Sequence, residues 1–144
     1  MRDIALPGEV VSPWHAIQSS NGQFVVCHGT PNDRVHGLCT ISADGHYILE
    51  RHGGHWGSAA GEYNVPRHMA IDRDQRVVVD DMFNRRVNWL SPTLEFICEV
   101  VSRAQLKWRP CRLCLDAERS LLYVADNERE EGGWTSGRVV VFSI

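Results

Sequence analysis

The sequence predicts an all-β chain built from three copies of one four-stranded antiparallel unit. Two observations carry that expectation. An ordered set of short apolar runs recurs three times, with Val35, Val87 and Val139 at equal intervals. Each run is rich in Val, Ile, Leu, Phe and Tyr and is bounded by Gly, Pro, Asn or Asp, which favours strands over helices. A recurrence of roughly 40–55 residues is the range of repeat architectures, so copying is the first reading of the chain.

The first unit runs Pro13 to Ile17, then Gly22 to His28, then Arg34 to Ile41. The second runs Pro66 to Asp72, Arg76 to Asp81 and Asn84 to Leu90, and the third Pro110 to Asp116, Leu121 to Asp126 and Gly137 to Phe142. A fourth strand follows in the first two units, over Tyr47 to Glu50 and Leu94 to Val101. Tight turns are expected at Ser20-Asn21-Gly22, at Ala43-Asp44-Gly45 and over Asp72 to Gln75, where Gly, Asn or Asp take the required dihedrals. Four antiparallel strands at this period are the signature of a propeller blade.

The third unit stops after its third strand, and Asp3 to Leu6 precede the first unit as an orphan outer strand. Residues 1–12 are thus expected to serve as the outer strand of a preceding or closing blade. The whole of residues 1–144 reads as one propeller segment with blades starting near Pro13, Pro66 and Pro110. Three blades cannot close a ring, since propellers have about 4–8. The expectation is a half ring, completed by missing blades or by a two-fold homodimer of six blades.

Composition narrows the function classes. With 43% hydrophobic and 23% charged residues and a net charge of −3, the chain is globular and carries no bulk charge that attracts nucleic acid or anionic membrane. No apolar run approaches the roughly 20 residues of a membrane span, and the opening residues lack an export leader, so a cytoplasmic location is expected. Cys27, Cys39, Cys98, Cys111 and Cys114 lie in apolar runs and read as buried free thiols. Cys111 and Cys114 have CxxC spacing, but on a strand residues three apart face opposite ways, and no second pair completes a zinc site.

The second unit resembles the NHL repeat: a Gly-rich loop, an aromatic and a proline, a strand ending in Asp, a strand ending in Val-x-Asp, then Asn-x-Arg-Val. Gly53, Gly54, Gly57, Gly61, Tyr63, Pro66, Asp72, Val79, Asp81, Asn84, Arg86 and Val87 carry it, and the third unit matches at Pro110, Asp116, Val124, Asp126, Asn127, Arg138 and Val139. The first is degenerate, with Ser19 and His28 in place of the acids. The aspartates at strand ends are expected to accept backbone hydrogen bonds and fix turns. The resemblance implies an NHL-like propeller acting as a non-catalytic binding or scaffold module, with a protein as the expected partner and no cofactor.

Two alternatives follow from the resemblance. Tripartite-motif NHL proteins bind RNA on a basic face, and Arg67, Arg85, Arg86, Arg103, Lys107, Arg109 and Arg112 form a candidate patch, with Trp89 and Trp108 as stacking rings. Peptidylglycine amide-lyase, a six-bladed relative, holds zinc through blade-start histidines, and His15 and His68 lie two residues after Pro13 and Pro66, with Arg112 at the matching place. In that enzyme the histidine directly follows the proline, where Trp14, Arg67 and Cys111 stand here; a one-residue shift reverses side-chain direction. His15 and His68 are therefore the weak metal candidates and, with Arg67 and Arg112, the expected ligand-binding residues of the central channel. His28, His36, His46, His52 and His55 read as loop or strand-end residues, and no catalytic triad order is recognisable. Glu128 to Ser136 reads as a long exposed loop in the third unit, making Trp134 a candidate partner contact.

Overall fold

The computed structural model describes residues 3–130 and 133–144, leaving aside the side chains of Arg129, Glu130, Trp134 and Thr135. Eleven strands, and no helix among the described residues, form three antiparallel meanders. The first sheet is β1 (Pro13–Gln18), β2 (Phe24–His28), β3 (Gly37–Ile41) and β4 (Ile48–Gly53) in sequential order. The second repeats it with β5 (Pro66–Ile71), β6 (Val77–Asp81), β7 (Arg86–Leu90) and β8 (Phe96–Val101). The third has β9 (Arg109–Asp116), β10 (Leu121–Glu130) and β11 (Gly133–Ser143).

The sheets stack in chain order and meet through β1, β2, β5, β6 and β9, whereas β4 and β8 pack mainly within their own sheets. Alternation along the strands explains the two cores. In β6, Val77 and Val79 face the first sheet and join Val25, Cys27, Leu38, Met69 and Leu90, while Val78 faces the third and joins Val87, Leu113, Leu122 and Val124. A strand buried on both faces needs an unbroken apolar run, and Val77 to Val79 supply it.

The β1–β2, β3–β4, β5–β6, β7–β8 and β9–β10 turns lie at one end of the sheets; the connections between sheets lie at the other, with the β2–β3 and β6–β7 turns. Ser19, Asp72 and Asp116 each hold an inner turn at the first end: Ser19 Oγ donates to the Gln23 carbonyl, Asp72 accepts from Arg76 N–H, and Asp116 accepts from the N–H groups of Glu118 and Arg119. Asp81 and Asp126 work at the other end. Asp81 accepts from Asn64 N–H, Asn84 and Arg86, and Asp126 from Trp108 N–H and Arg138. The turn-fixing role expected of the aspartates is what their carboxylates perform.

Three expectations change. Residues 3–12 form no strand. Pro7 and Gly8 break the run, and the segment lies across the outer face of the first sheet, where Val10 packs on Val26, Cys39 and Ile41 and Glu9 pairs with Arg51. The loop expected over Glu128 to Ser136 is the end of a hairpin, with Glu128 opposite Ser136 and Arg129 opposite Trp134, so pairing satisfies backbone groups that a loop would leave to water. The side chain of Trp134 lies outside the described residues. Of the five cysteines, all free, Cys27, Cys39 and Cys111 are buried, but Cys98 and Cys114 are exposed. Cys98 sits on the outer strand β8, and Cys114 points away from the core that Cys111 faces, as three-residue spacing on a strand requires.

Candidate functional site

The starts of β1, β5 and β9 lie at the end that carries the inter-sheet connections, and each places its post-proline residues there. At β5 the ladder is interrupted between Pro66 and Met69. The bulged Arg67 and His68 both donate their backbone N–H to Asp80 Oδ1, at 2.7 and 2.8 Å. Asp80 is fully buried, its Oδ2 has no partner, and burial pushes its carboxyl up to about 7. Similar irregularities follow Pro13 and Pro110, so the bulge belongs to the repeated script.

His15 and His68 come together as expected, their rings stacked 3.9 Å apart. One nitrogen of each ring is already committed. Met69 N–H donates to His15 Nδ1 and Leu113 N–H donates to His68 Nδ1, both at 3.2 Å. Each ring therefore accepts a backbone hydrogen bond from the inner strand of the next sheet. A ring that accepts at Nδ1 is neutral and carries its proton on Nε2. Burial first, and the Arg112 charge with it, lowers the basicity of His15; burial, His15 and Arg112 bring His68 down to about 4. This tautomer leaves neither nitrogen with a lone pair for a metal, and among the described residues no three His, Cys, Asp or Glu side chains gather as a metal ion requires.

A third histidine does the same work from another element. His36, fully buried before β3, accepts Val65 N–H at Nδ1 at 3.0 Å, so its Nε2 donates to the Asp33 carbonyl at 3.1 Å. Sequence reading leaves it among the loop histidines. Its one sequence signal is the adjoining Gly37, whose pairing with Gly53 leaves no room for a side chain.

The same end carries cations laid on aromatic rings. Arg67 lies over Trp14 at 4.6 Å, Arg109 over Phe83 at 4.3 Å and Lys107 over Trp108 at 4.4 Å, with Arg138 also over Trp108 at 5.6 Å. Arg85 donates to the Lys107 carbonyl and lines with Lys107, Trp108 and Arg109 an open hollow of about 360 Å³. Asn127 joins that hollow to a second one beside Arg67, Cys111 and Arg112. Among the described residues none of Arg67, Arg85, Lys107, Arg109 and Arg112 forms an ion pair, whereas Arg51, Arg73, Arg76, Arg86, Arg119 and Arg138 all do. Glu128 borders the hollow and accepts a hydrogen bond from Ser136.

The structure redraws the expected basic patch. Arg86 is bound to Asp81 and to the carbonyls of Ser58, Ala59 and Glu62, a structural clasp. Trp89 lies under Arg76 beside Asp72 and Ser120, at the opposite end of the sheets from Arg67, Arg85, Lys107, Arg109 and Arg112. Trp14 and Phe83, which no motif marks, take its place.

No family model matches the chain, and no curated protein is similar to it. Solved structures share its fold. A "putative exported protein" of Bacteroides fragilis aligns with a TM-score of 0.58 at 17% identity over 90% of this chain and 32% of its own. A protein of unknown function from Bacteroides caccae aligns with a TM-score of 0.55 at 13% identity over 94% of this chain and 48% of its own. The chain thus spans about a third and about half of these two structures. The first of them overturns the cytoplasmic expectation: a chain of this fold belongs to a protein named for export.

Proposed function

We propose that the chain is a non-catalytic binding module, an NHL-like propeller segment that takes an acidic segment of a protein on the end bearing the inter-sheet connections. The observation that supports this reading is the group of five cations, Arg67, Arg85, Lys107, Arg109 and Arg112, that form no ion pair among the described residues, at one end of a chain whose net charge is −3. Three of them lie on rings, which fixes their direction and lowers the entropy lost when they meet a carboxylate. Guanidinium groups stacked by their faces keep their N–H edges for paired oxygens. RNA is the weaker reading because Trp14, Phe83 and Trp108 already carry cations, and a base stacking there must displace them.

The propeller reading draws support from the repeated meanders and from their contact through first strands. In the third sheet β11 is the outer edge among the described residues. Further blades or a second copy would supply the rest of the ring.

Binding of a Glu/Asp-rich peptide, followed by fluorescence anisotropy, tests the module. Affinity should fall steeply with salt and by at least about tenfold in Arg67→Glu/Arg109→Glu. Tighter binding of a single-stranded RNA of equal charge would transfer the site to nucleic acid, and failure to bind either would remove the reading.

A further inference from the structure

Beyond the spread of charge across this face, one small cluster has donors and no acceptors. His15 and His68 each present a free Nε2–H, because their Nδ1 atoms are held by Met69 and Leu113. Neither Nε2 has a partner among the described residues, and neither is enclosed by protein. The rings stack 3.9 Å apart, which sets the two imidazoles face to face where β1 meets β5. Arg112 is exposed and stands close enough for its charge to act on both rings, with its arm turned back onto the Cys111 carbonyl at 2.7 Å. Two neutral donors and one fixed positive charge match one negative charge spread over two oxygens.

We infer that His15 Nε2, His68 Nε2 and Arg112 form a carboxylate-binding subsite at the meeting of β1, β5 and β9. It rests on the reading of this end as the binding end and names the group anchored there. Each imidazole donates to one oxygen, and the guanidinium supplies the opposite charge. A phosphate dianion would leave one charge unmatched, so carboxylate is preferred. The side chain of an acidic residue and a free chain terminus offer the same chemistry.

The test is titration of the intact chain with acetate, chloride and phosphate at pH 7, followed through the imidazole proton resonances of His15 and His68. Acetate should move both rings to saturation, at concentrations at least about fivefold below phosphate. Arg112→Gln, at an exposed position, should weaken the response about tenfold. His68→Asn keeps an acceptor near the place of Nδ1 and removes the Nε2 donor; it should fold normally and weaken acetate severalfold. A peptide with a free terminal carboxylate but no acidic side chain, set against an amidated peptide containing Glu, shows which source fits; movement by either supports the subsite. Rings unmoved by acetate and by both peptides, a response equal to chloride's, tighter phosphate binding, or a response unchanged in Arg112→Gln would each overturn it. Such a result beside retained binding of the Glu/Asp-rich peptide would leave the proposed module standing without this anchor.

Discussion

The boundary between the first and second sheets is held by two histidines and that between the second and third by one. His15 and His36 reach Met69 and Val65, and His68 reaches Leu113. At the matching place in the third unit stands Arg112, exposed. The second position after the proline is thus a stitch in the first two sheets and an exposed arginine in the third. The outer faces differ in the same direction. Val10 covers Val26, Cys39 and Ile41 on the first sheet, whereas Val139 and Val141 on the third are 62% and 51% exposed. One repeated script gives different surfaces because burial is set by the neighbour and not by the strand.

The most damaging way to break the comparison is at the doubly held boundary. His36→Ala strands the buried Val65 N–H and opens a cavity, at a cost of about 3 kcal/mol that denaturant unfolding would measure. His68→Ala, at the singly held boundary and half-buried, should cost about 1–2 kcal/mol, while His68→Asn should recover most of it by replacing the acceptor.

A pH series sharpens the same point. His68 is brought down to about 4 from an ordinary 6.5, so between those values the unfolded chain binds a proton that the folded chain refuses. The ring's contribution is full above pH 6.5 and is lost as pH falls towards 4, since protonating Nδ1 sets two N–H groups against each other. Asp80, raised by burial from an ordinary 3.8 to about 7, acts in the opposite sense: its contribution is full below 3.8 and is lost as pH rises towards 7. Subtracting the thermal-unfolding profile of His68→Asn from that of the unaltered chain isolates the ring; the difference should shrink from pH 6.5 downwards.

The smallest effect is expected at the bare end. Val139→Lys should change stability by less than about 0.5 kcal/mol, whereas the same change at Val10, under which the first sheet's outer face is buried, should cost about 3 kcal/mol. Thiol labelling carries the contrast without mutation: Cys114 and Cys98 should react at once and Cys39 only on unfolding.

Much of the fold was legible in the sequence because the repeat writes it three times. The prolines at the starts of β1, β5 and β9 and the acids at Asp72, Asp81 and Asp116 mark strand ends through local chemistry, and local chemistry survives copying. What lay hidden depends on contacts between distant residues. Nothing around Val10 says that its segment crosses a sheet face instead of joining an edge. The ring pairs Trp14–Arg67 and Phe83–Arg109 join neighbouring sheets, so no motif contains them. His15 and His68 were legible as a pair, but their use was not: the metal reading depends on a free nitrogen, and which nitrogen is free is decided by backbone N–H groups of another sheet.

The most direct test of this account is a long-range proton–nitrogen correlation spectrum of the histidine rings. With stitches as described, His15, His36 and His68 show the Nε2–H tautomer at pH 7, and His68 keeps it unprotonated down to near pH 4. Rings of mixed tautomer, or a His68 that titrates near 6.5, would mean that the sheets are not tied through Nδ1 and that the donor cluster built on those ties does not exist.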